Sequence, residues 1–361
     1  MKTKWITLLL QILITTILHA QVDSTSIEED EEDFSKYATA ELASGGKRYC
    51  TSKVFDLSPN KLFSLSYDYQ GAHKLTNYGL NTANAKGIDT ATSTIKGMGG
   101  IRLGANIPVI SKTNVLWSVG ATYWRMNYNF DNPETQNYFT NALYQRGLTT
   151  MGLNTTLFKP FNERQFVLAF VSADANGDYT FGDTKLFDYL SNPTYTIAGF
   201  YGVKRNDRSI LAFGVSRTYR AGNQTIFPLI LWNHTFENRK WGVEMLLPSR
   251  LNIRRNFNPR TLLFVGYEME GNSYSILNRT PDPYYDNYLL RRSEVRPRIT
   301  FEKSIFGFVW LSMQAGYRLN FRYNIDETDF FRALGDEDNY KELNDLSNAW
   351  YFTVGIHLVS P

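Results

Sequence analysis

The stretch RRSEVRPRITFEK, residues 291–303, holds seven charges in thirteen residues. Arginines at that density grip phosphate or carboxylate groups, select anions along a passage, or neutralise carboxylates of their own chain. Counting by twos puts Leu290, Arg292, Glu294, Arg296, Arg298, Thr300 and Glu302 on one face. Ser293, Val295, Pro297, Ile299 and Phe301 fall on the other. A charged face backed by a mostly apolar one at period two is the pattern of a strand. The flanking segments repeat it. In residues 261–272, Glu268 and Glu270 oppose Leu263, Val265, Tyr267 and Met269, and in residues 308–323, Arg318 and Arg322 oppose Ala315, Tyr317, Leu319 and Phe321. Glu268, Glu270, Arg292, Glu294, Arg296, Arg298, Glu302, Arg318 and Arg322 therefore form one candidate cluster on three neighbouring strands. Opposite charges across adjacent strands attract, so the cluster reads as a salt-bridge ladder or as an anion-selective surface.

Other chemistry finds little support. KGMGGIRLG, residues 96–104, has close-set glycines but no following helix to receive a phosphate. In residues 174–185, Asp174, Asn176 and Asp178 alternate as in a calcium loop, but Tyr179 and Lys185 stand where Gly and Glu are required. His73, His234 and His357 lack a serine or carboxylate at a spacing that suggests a relay or a metal site. Cys50 is the single cysteine, which excludes an internal disulfide and a thiolate cage. No catalytic residue, metal or cofactor is expected, and the chain reads as a non-enzyme. A hydrolase at the rim, using His234 or His357, stays as an alternative.

A cluster on three strands needs elements to hold those strands side by side. Lys2 and Lys4 precede an apolar run over residues 5–18 and the sequence His19-Ala20-Gln21. That is the layout of a cleaved export signal, with cleavage expected after Ala20. The run falls short of the roughly 20 apolar residues a spanning helix needs. Residues 28–33 are an acidic run of the solvated kind. From Lys61 onward, segments of about ten residues alternate in period two. Trp117, Val119, Ala121 and Tyr123 share one face, as do Trp241, Val243, Met245 and Leu247, opposite Glu244. Trp350, Phe352, Val354, Ile356 and Leu358 share another. Short connections near residues 108–114, 159–164, 204–208, 237–240, 257–260 and 303–306 interleave with connections of a second kind. Those are mostly long: residues 71–93, 131–146, 178–193, 272–288 and 325–348, with shorter members at 221–224 and 248–250.

Alternation of short turns and long loops marks a transmembrane antiparallel up-and-down β-barrel, here of about fourteen strands, or twelve. The expected organisation is a signal peptide over 1–20, an N-terminal periplasmic segment over 21–60, partly disordered or acting as a plug, and the barrel over 61–361. Lipid-facing arginines near the bilayer midplane would cost roughly 2–4 kcal/mol each, so the charged faces should point into the lumen. A net charge of only +3, and a pattern that spends every second residue on lipid, exclude nucleic acid as a partner.

Residues 213–276 carry Phe227-Pro228, Lys240-Trp241, Leu247-Pro248-Ser249 and Gly271-Asn272-Ser273-Tyr274 at a recognisable spacing. In these features the chain resembles an uncharacterised outer-membrane β-barrel family found mainly in Gram-negative bacteria of the Bacteroidota. The resemblance implies the fold and an outer-membrane location and brings no activity. One departure is the ending Val359-Ser360-Pro361, where barrels often place an aromatic residue. The expected partners are outer-membrane lipid and small anionic solutes passing an arginine-rich lumen. The alternative is a structural or interaction protein acting through loops such as residues 280–288 and 325–348.

Overall fold

The computed structural model describes residues 48–80, 91–132, 138–180, 193–220, 223–277, 288–326 and 340–360. By its contacts the chain divides into Met1–Lys47 and Arg48–Pro361, and every described residue belongs to the second unit. The leader and the acidic run lie outside the described residues, as do most of the loops expected at 280–288 and 325–348. No described helix is long and apolar enough to cross a membrane.

In chain order the elements are β1 (Lys61–Gln70), β2 (His73–Leu80), β3 (Ala91–Lys112), β4 (Val115–Phe130), α1 (Tyr138–Arg146), β5 (Leu148–Pro160), β6 (Gln165–Gly177), β7 (Thr194–Asn206) and β8 (Ser209–Arg220). They continue with β9 (Asn223–Thr235), β10 (Trp241–Leu247), β11 (Arg250–Asn258), β12 (Thr261–Ile276), β13 (Tyr288–Phe306), β14 (Val309–Asp326), β15 (Tyr340–Leu346) and β16 (Ala349–Val359). Sequential neighbours pair antiparallel from β3 to β14, β14 pairs with β16, β16 with β1, and β1 with β3. The sheet thereby closes on itself as an antiparallel barrel of fourteen staves, with no first or last strand. β2 and β15 extend the β1 and β16 staves, each pairing with the other and with β3 or β14. Two expected loops, residues 71–93 and 325–348, thus carry wall. The breaks at Gly71-Ala72 and Ser347-Asn348 are stitched by Gly71 N–H donating to Trp350 O (3.0 Å) and Ser347 N–H donating to Lys74 O (2.9 Å).

Alternation along each stave sorts side chains between two environments. The outward set is apolar on all fourteen staves: Phe63, Ile101, Val119, Leu153, Val171, Ile197, Phe213, Ile226, Trp241, Ile253, Val265, Ile299, Met313 and Val354 are all exposed. Glycine serves where the wall crowds. A Cβ on Gly100 would stand 1.8 Å from the Arg125 carbonyl oxygen, and one on Gly99 would meet the Tyr67 hydroxyl at 2.5 Å. The close-set glycines of residues 96–104 are therefore a wall device, on β3.

The inward set fills the lumen in layers. At the long-loop end, Leu75, Ile95, Trp124, Met126, Phe130, Leu148, Tyr274, Leu290, Tyr323 and Ile325 form an apolar core. α1 caps it with Phe139, Ala142 and Leu143, which recur at three and four residues on one helix face. The helix ends at Gly147 in the left-handed region (φ +67°), whose N–H donates to Leu143 O at 2.9 Å. Deeper in, Phe139 packs 6.1 Å from the Tyr323 ring, and Tyr323 donates to the Tyr128 hydroxyl (3.0 Å).

At the short-turn end, residues 48–60 cross the lumen as a strap. Cys50 N–H donates to Asn162 O (2.9 Å), Phe55 N–H to Asp207 O (2.9 Å), and Thr235 Oγ1 to Phe55 O (2.6 Å). Cys50 and Val54 are buried with Phe158, Phe166, Phe200, Ile210 and Leu229, inward-facing wall residues. A second apolar group, Leu262, Phe264, Trp310 and Val359, fills the lumen beside it.

Candidate functional site

Between the apolar core and the strap lies a belt of charge. β12 and β13 set Glu268 opposite Arg296, but Glu270 falls opposite Glu294. Two carboxylates so placed repel, and Arg296 resolves the conflict by bridging them. Its Nη2 stands 2.5 Å from Glu270 and 3.1 Å from Glu268, and its Nε 3.6 Å from Glu294. Arg298 donates to Glu268, and Arg292 donates through Nη2 to Glu294 at 2.6 Å. Arg296 and Glu294 are both buried, and buried charge is tolerated only when paired and hydrogen-bonded.

Two members of the belt come from distant strands. Arg102 on β3 reaches Asp68 (3.3 Å) and Glu270 (3.6 Å), and Asp68 on β1 accepts from Thr353 Oγ1 (2.6 Å). Aromatic faces shield the guanidiniums: Arg102 and Arg292 lie 5.2 and 5.7 Å from the Trp124 centroid, Arg318 and Arg296 5.0 and 5.9 Å from that of Tyr351. Arg318 is held most loosely. It is fully buried, 3.9 Å from Asp68 and 4.0 Å from Glu294, and its Nε and Nη2 make no hydrogen bond among the described residues.

Seven of the nine expected residues thus meet: Glu268, Glu270, Arg292, Glu294, Arg296, Arg298 and Arg318. Glu302 sits apart, nearer the short-turn end, where its Oε1 accepts from Lys61 Nζ at 2.6 Å. Arg322 is a correction. The β13–β14 register slips between Ser293↔Arg322 and Glu294↔Asn320, leaving Phe321 as an extra residue. A bulge of one residue reverses which side chains face inward. Phe321 is 69% exposed and Tyr323 1%, so the inward positions pass from even to odd numbers and Arg322 leaves the row. It lines a ≈230 Å³ pocket with Arg291, Arg292, Ser293 and Phe227.

Below the belt is a cavity of ≈460 Å³. Its floor is residues 57–61, and its wall includes Asp68, Arg102, Glu244, Arg250, Asn252, Glu268, Arg296, Arg298, Ser312 and His357. Glu244 ties floor to wall. Its carboxylate accepts from Ser58 N–H (3.2 Å), Ser58 Oγ (2.8 Å) and the buried Arg254 Nη1 (2.7 Å). Arg254 Nη2 donates to Thr235 Oγ1 (2.7 Å), the hydroxyl that holds Phe55 O. Asp68, Arg102, Arg250 and Arg254 were missed from sequence, although each lies at an inward-facing position of its strand.

The histidines separate. His73 begins β2 and is buried with Nδ1 2.8 Å from Gly71 O. His234 packs between Trp232 (5.7 Å) and Phe236 (5.0 Å). His357 meets Ser312 Oγ through Nε2 at 2.6 Å, a pairing made by register and invisible in sequence. Its Nδ1 has no hydrogen-bond partner among the described residues, so the third group that orients a catalytic histidine is not in place. Asn176 of the calcium-like stretch is used inside the wall, accepting from Thr150 Oγ1 at 2.7 Å, and Lys185 lies outside the described residues.

No family model and no curated protein matches the chain. Three solved structures that align along most of their length give a sense of the likeness. An outer membrane channel from Pseudomonas putida F1 is 13% identical over 82% of this chain and 97% of its own, with a TM-score of 0.31. The P. putida toluene transporter TodX is 10% identical over 84% and 91%, with a TM-score of 0.31. The outer membrane protease OmpT of Escherichia coli is 7% identical over 84% and 98%, with a TM-score of 0.32. A channel, a transporter and a protease resemble the chain equally at this distance, so the likeness assigns no activity.

Proposed function

We propose that the chain is an outer-membrane barrel of a Gram-negative bacterium that passes small solutes through its lumen, with residues 48–60 as the gate at the periplasmic end. The membrane location rests on the apolar outer face of all fourteen staves. A water-soluble protein seldom exposes a contiguous apolar patch beyond a few hundred Å². Membership of the Bacteroidota-type family belongs to the same proposal and rests on the motif spacing in residues 213–276.

One observation carries the solute reading: a charged ≈460 Å³ cavity inside a closed, lipid-facing wall. A barrel serving only as scaffold gains by filling such a space, since buried charge beside a void forgoes packing and solvation together. The belt itself is too evenly paired to act as a bare row of arginines. Selectivity therefore resides in the cavity below it and in the strap beneath. Planar-bilayer recordings of the chain with and without residues 21–60 test the proposal. Current that rises on removal supports it, and no current from either form defeats it.

A further inference from the structure

The apolar core and α1 block the axis of the barrel, so a solute in the cavity needs another way out. The wall is lowest at β10 and β11. Leu247 pairs with Ile230, yet β9 runs seven residues further to Asn223. Arg250 pairs with Glu268, yet β12 runs eight residues further to Ile276. At roughly 3.3 Å per residue the hairpin tip stops about 23 Å short of the end of β9, measured along the strand. Above it, among the described residues, β9 and β12 have no strand between them. β12 turns instead to the opposite wall, where Ser275 pairs with Gly177 of β6. The seven residues of β10 also fall short of the ≈9–11 that a tilted spanning strand uses.

At the lip of this gap stands Arg250, exposed and lining the cavity. The cavity wall carries Lys61, Arg102, Arg250, Arg296 and Arg298 against Asp68, Glu244, Glu268 and Glu302. Every one of those carboxylates is taken: Glu302 by Lys61, Asp68 by Arg102, Glu268 by Arg296 and Arg298, Glu244 by Arg254. Arg250 forms no ion pair with any described residue, although Glu268 is its partner in register. Resting on the solute-passage reading above, we infer that the gap over β10–β11 is a side entrance to the cavity, and that Arg250 binds the oxyanion of a small phosphate or carboxylate there. A guanidinium presents paired donors that match such oxyanions, and a partly enclosed site strengthens the attraction.

Inorganic phosphate is the probe, titrated by calorimetry into the full chain in a phosphate-free maltoside detergent. Arg250→Gln should weaken binding at least about tenfold, the loss of one charge-assisted pair, with Arg205→Gln, exposed at the short-turn end of β7, as the unaffected control. Heat-modifiable gel migration reports that each barrel is folded. Phosphatidylglycerol micelles that displace phosphate from the wild type alone support the same oxyanion site with a lipid headgroup as its source. Equal binding by wild type and Arg250→Gln, or no binding at millimolar phosphate, overturns the inference. Binding in detergent needs no passage, so phosphate binding without bilayer current defeats the passage reading alone. Current without Arg250-dependent binding defeats the side entrance alone.

Discussion

Cys50 is the only cysteine in the chain and lies in the strap, which makes its thiol a reporter of strap opening. It is buried, with Sγ 3.6 Å from the Gln165 carbonyl oxygen, so a maleimide reaches it only when the strap lifts. Glu244→Gln is the informative perturbation. Glu244 accepts two hydrogen bonds from Ser58, one on each carboxylate oxygen. In glutamine the amide oxygen keeps the bond from Ser58 N–H and the amide nitrogen donates to Ser58 Oγ, so both lose their charge assistance. Charge-assisted bonds contribute about 1.5–3 kcal/mol and neutral ones about 0.5–1.5, so the strap loses about 2–3 kcal/mol. At 1.4 kcal/mol per decade that is a rise of roughly a hundredfold in the open population. Ser58→Ala removes the Oγ bond, leaves the Arg254–Glu244 pair intact, and should raise labelling about tenfold. When opening and closing are fast relative to labelling, the maleimide rate tracks that population. Wild-type labelling as fast as in the denatured chain, or identical rates for all three proteins with folded gel migration, would refute the strap's role as a closure.

The same thiol gives a pH dependence. Burial pushes Cys50 above its ordinary value of 9.0, against a smaller lowering from Lys204. The closed strap keeps its proton while the open one releases it, so closure is at full strength below pH 9 and weakens as pH rises through that value. Maleimide labelling, corrected for the thiolate fraction of a free cysteine, should accelerate above about pH 9. Replacing Gly100 with Val puts a side chain into the Arg125 carbonyl and should stop barrel assembly, whereas Gly199→Ala, with open space at its Cβ, should assemble normally on gels. Arg296→Met removes the bridge shared by Glu268, Glu270 and Glu294, leaving three close carboxylates one cation short, and should cost about 3–5 kcal/mol of unfolding stability. Arg318→Met removes a poorly satisfied cation and should cost under about 1.5 kcal/mol, by urea titration of gel migration. A serine-directed fluorophosphonate should leave Ser312 unmodified, and labelling that disappears in His357→Ala would revive the hydrolase alternative.

The wall was legible because an outward-facing stave repeats an apolar residue at every second position, as Trp350 to Leu358 do. Glu268, Arg292, Arg296 and Arg298 followed from the same count, since β12 and β13 are consecutive in the chain and pair side by side. The count failed at Arg322, where one extra residue in β14 flips the inward face and nothing in FRYN announces it. β2 reads as loop in the sequence because its described inward face carries Leu75 between the polar His73 and Asn77. α1 offers a single stripe, Phe139, Ala142 and Leu143, too short for periodicity to register. The belt's other anchors were hidden for a different reason. Asp68 and Arg102 join it only through the closure of β1 onto β3, and closure leaves no local trace in sequence. The same holds for Ser312 and His357, forty-five residues apart and brought together by strand register.

If solutes cross a lumen that residues 48–60 close, loosening the strap must open a conducting path. Single-channel recording of wild type and Glu244→Gln in the same planar bilayer tests this most directly. Rare openings are expected in the wild type, and an open probability roughly a hundredfold higher in Glu244→Gln at unchanged unitary conductance, matching the shift in Cys50 labelling. Equal open probability in the two proteins, while Cys50 labelling still rises by roughly a hundredfold, would contradict it, because the strap would then open without opening a path.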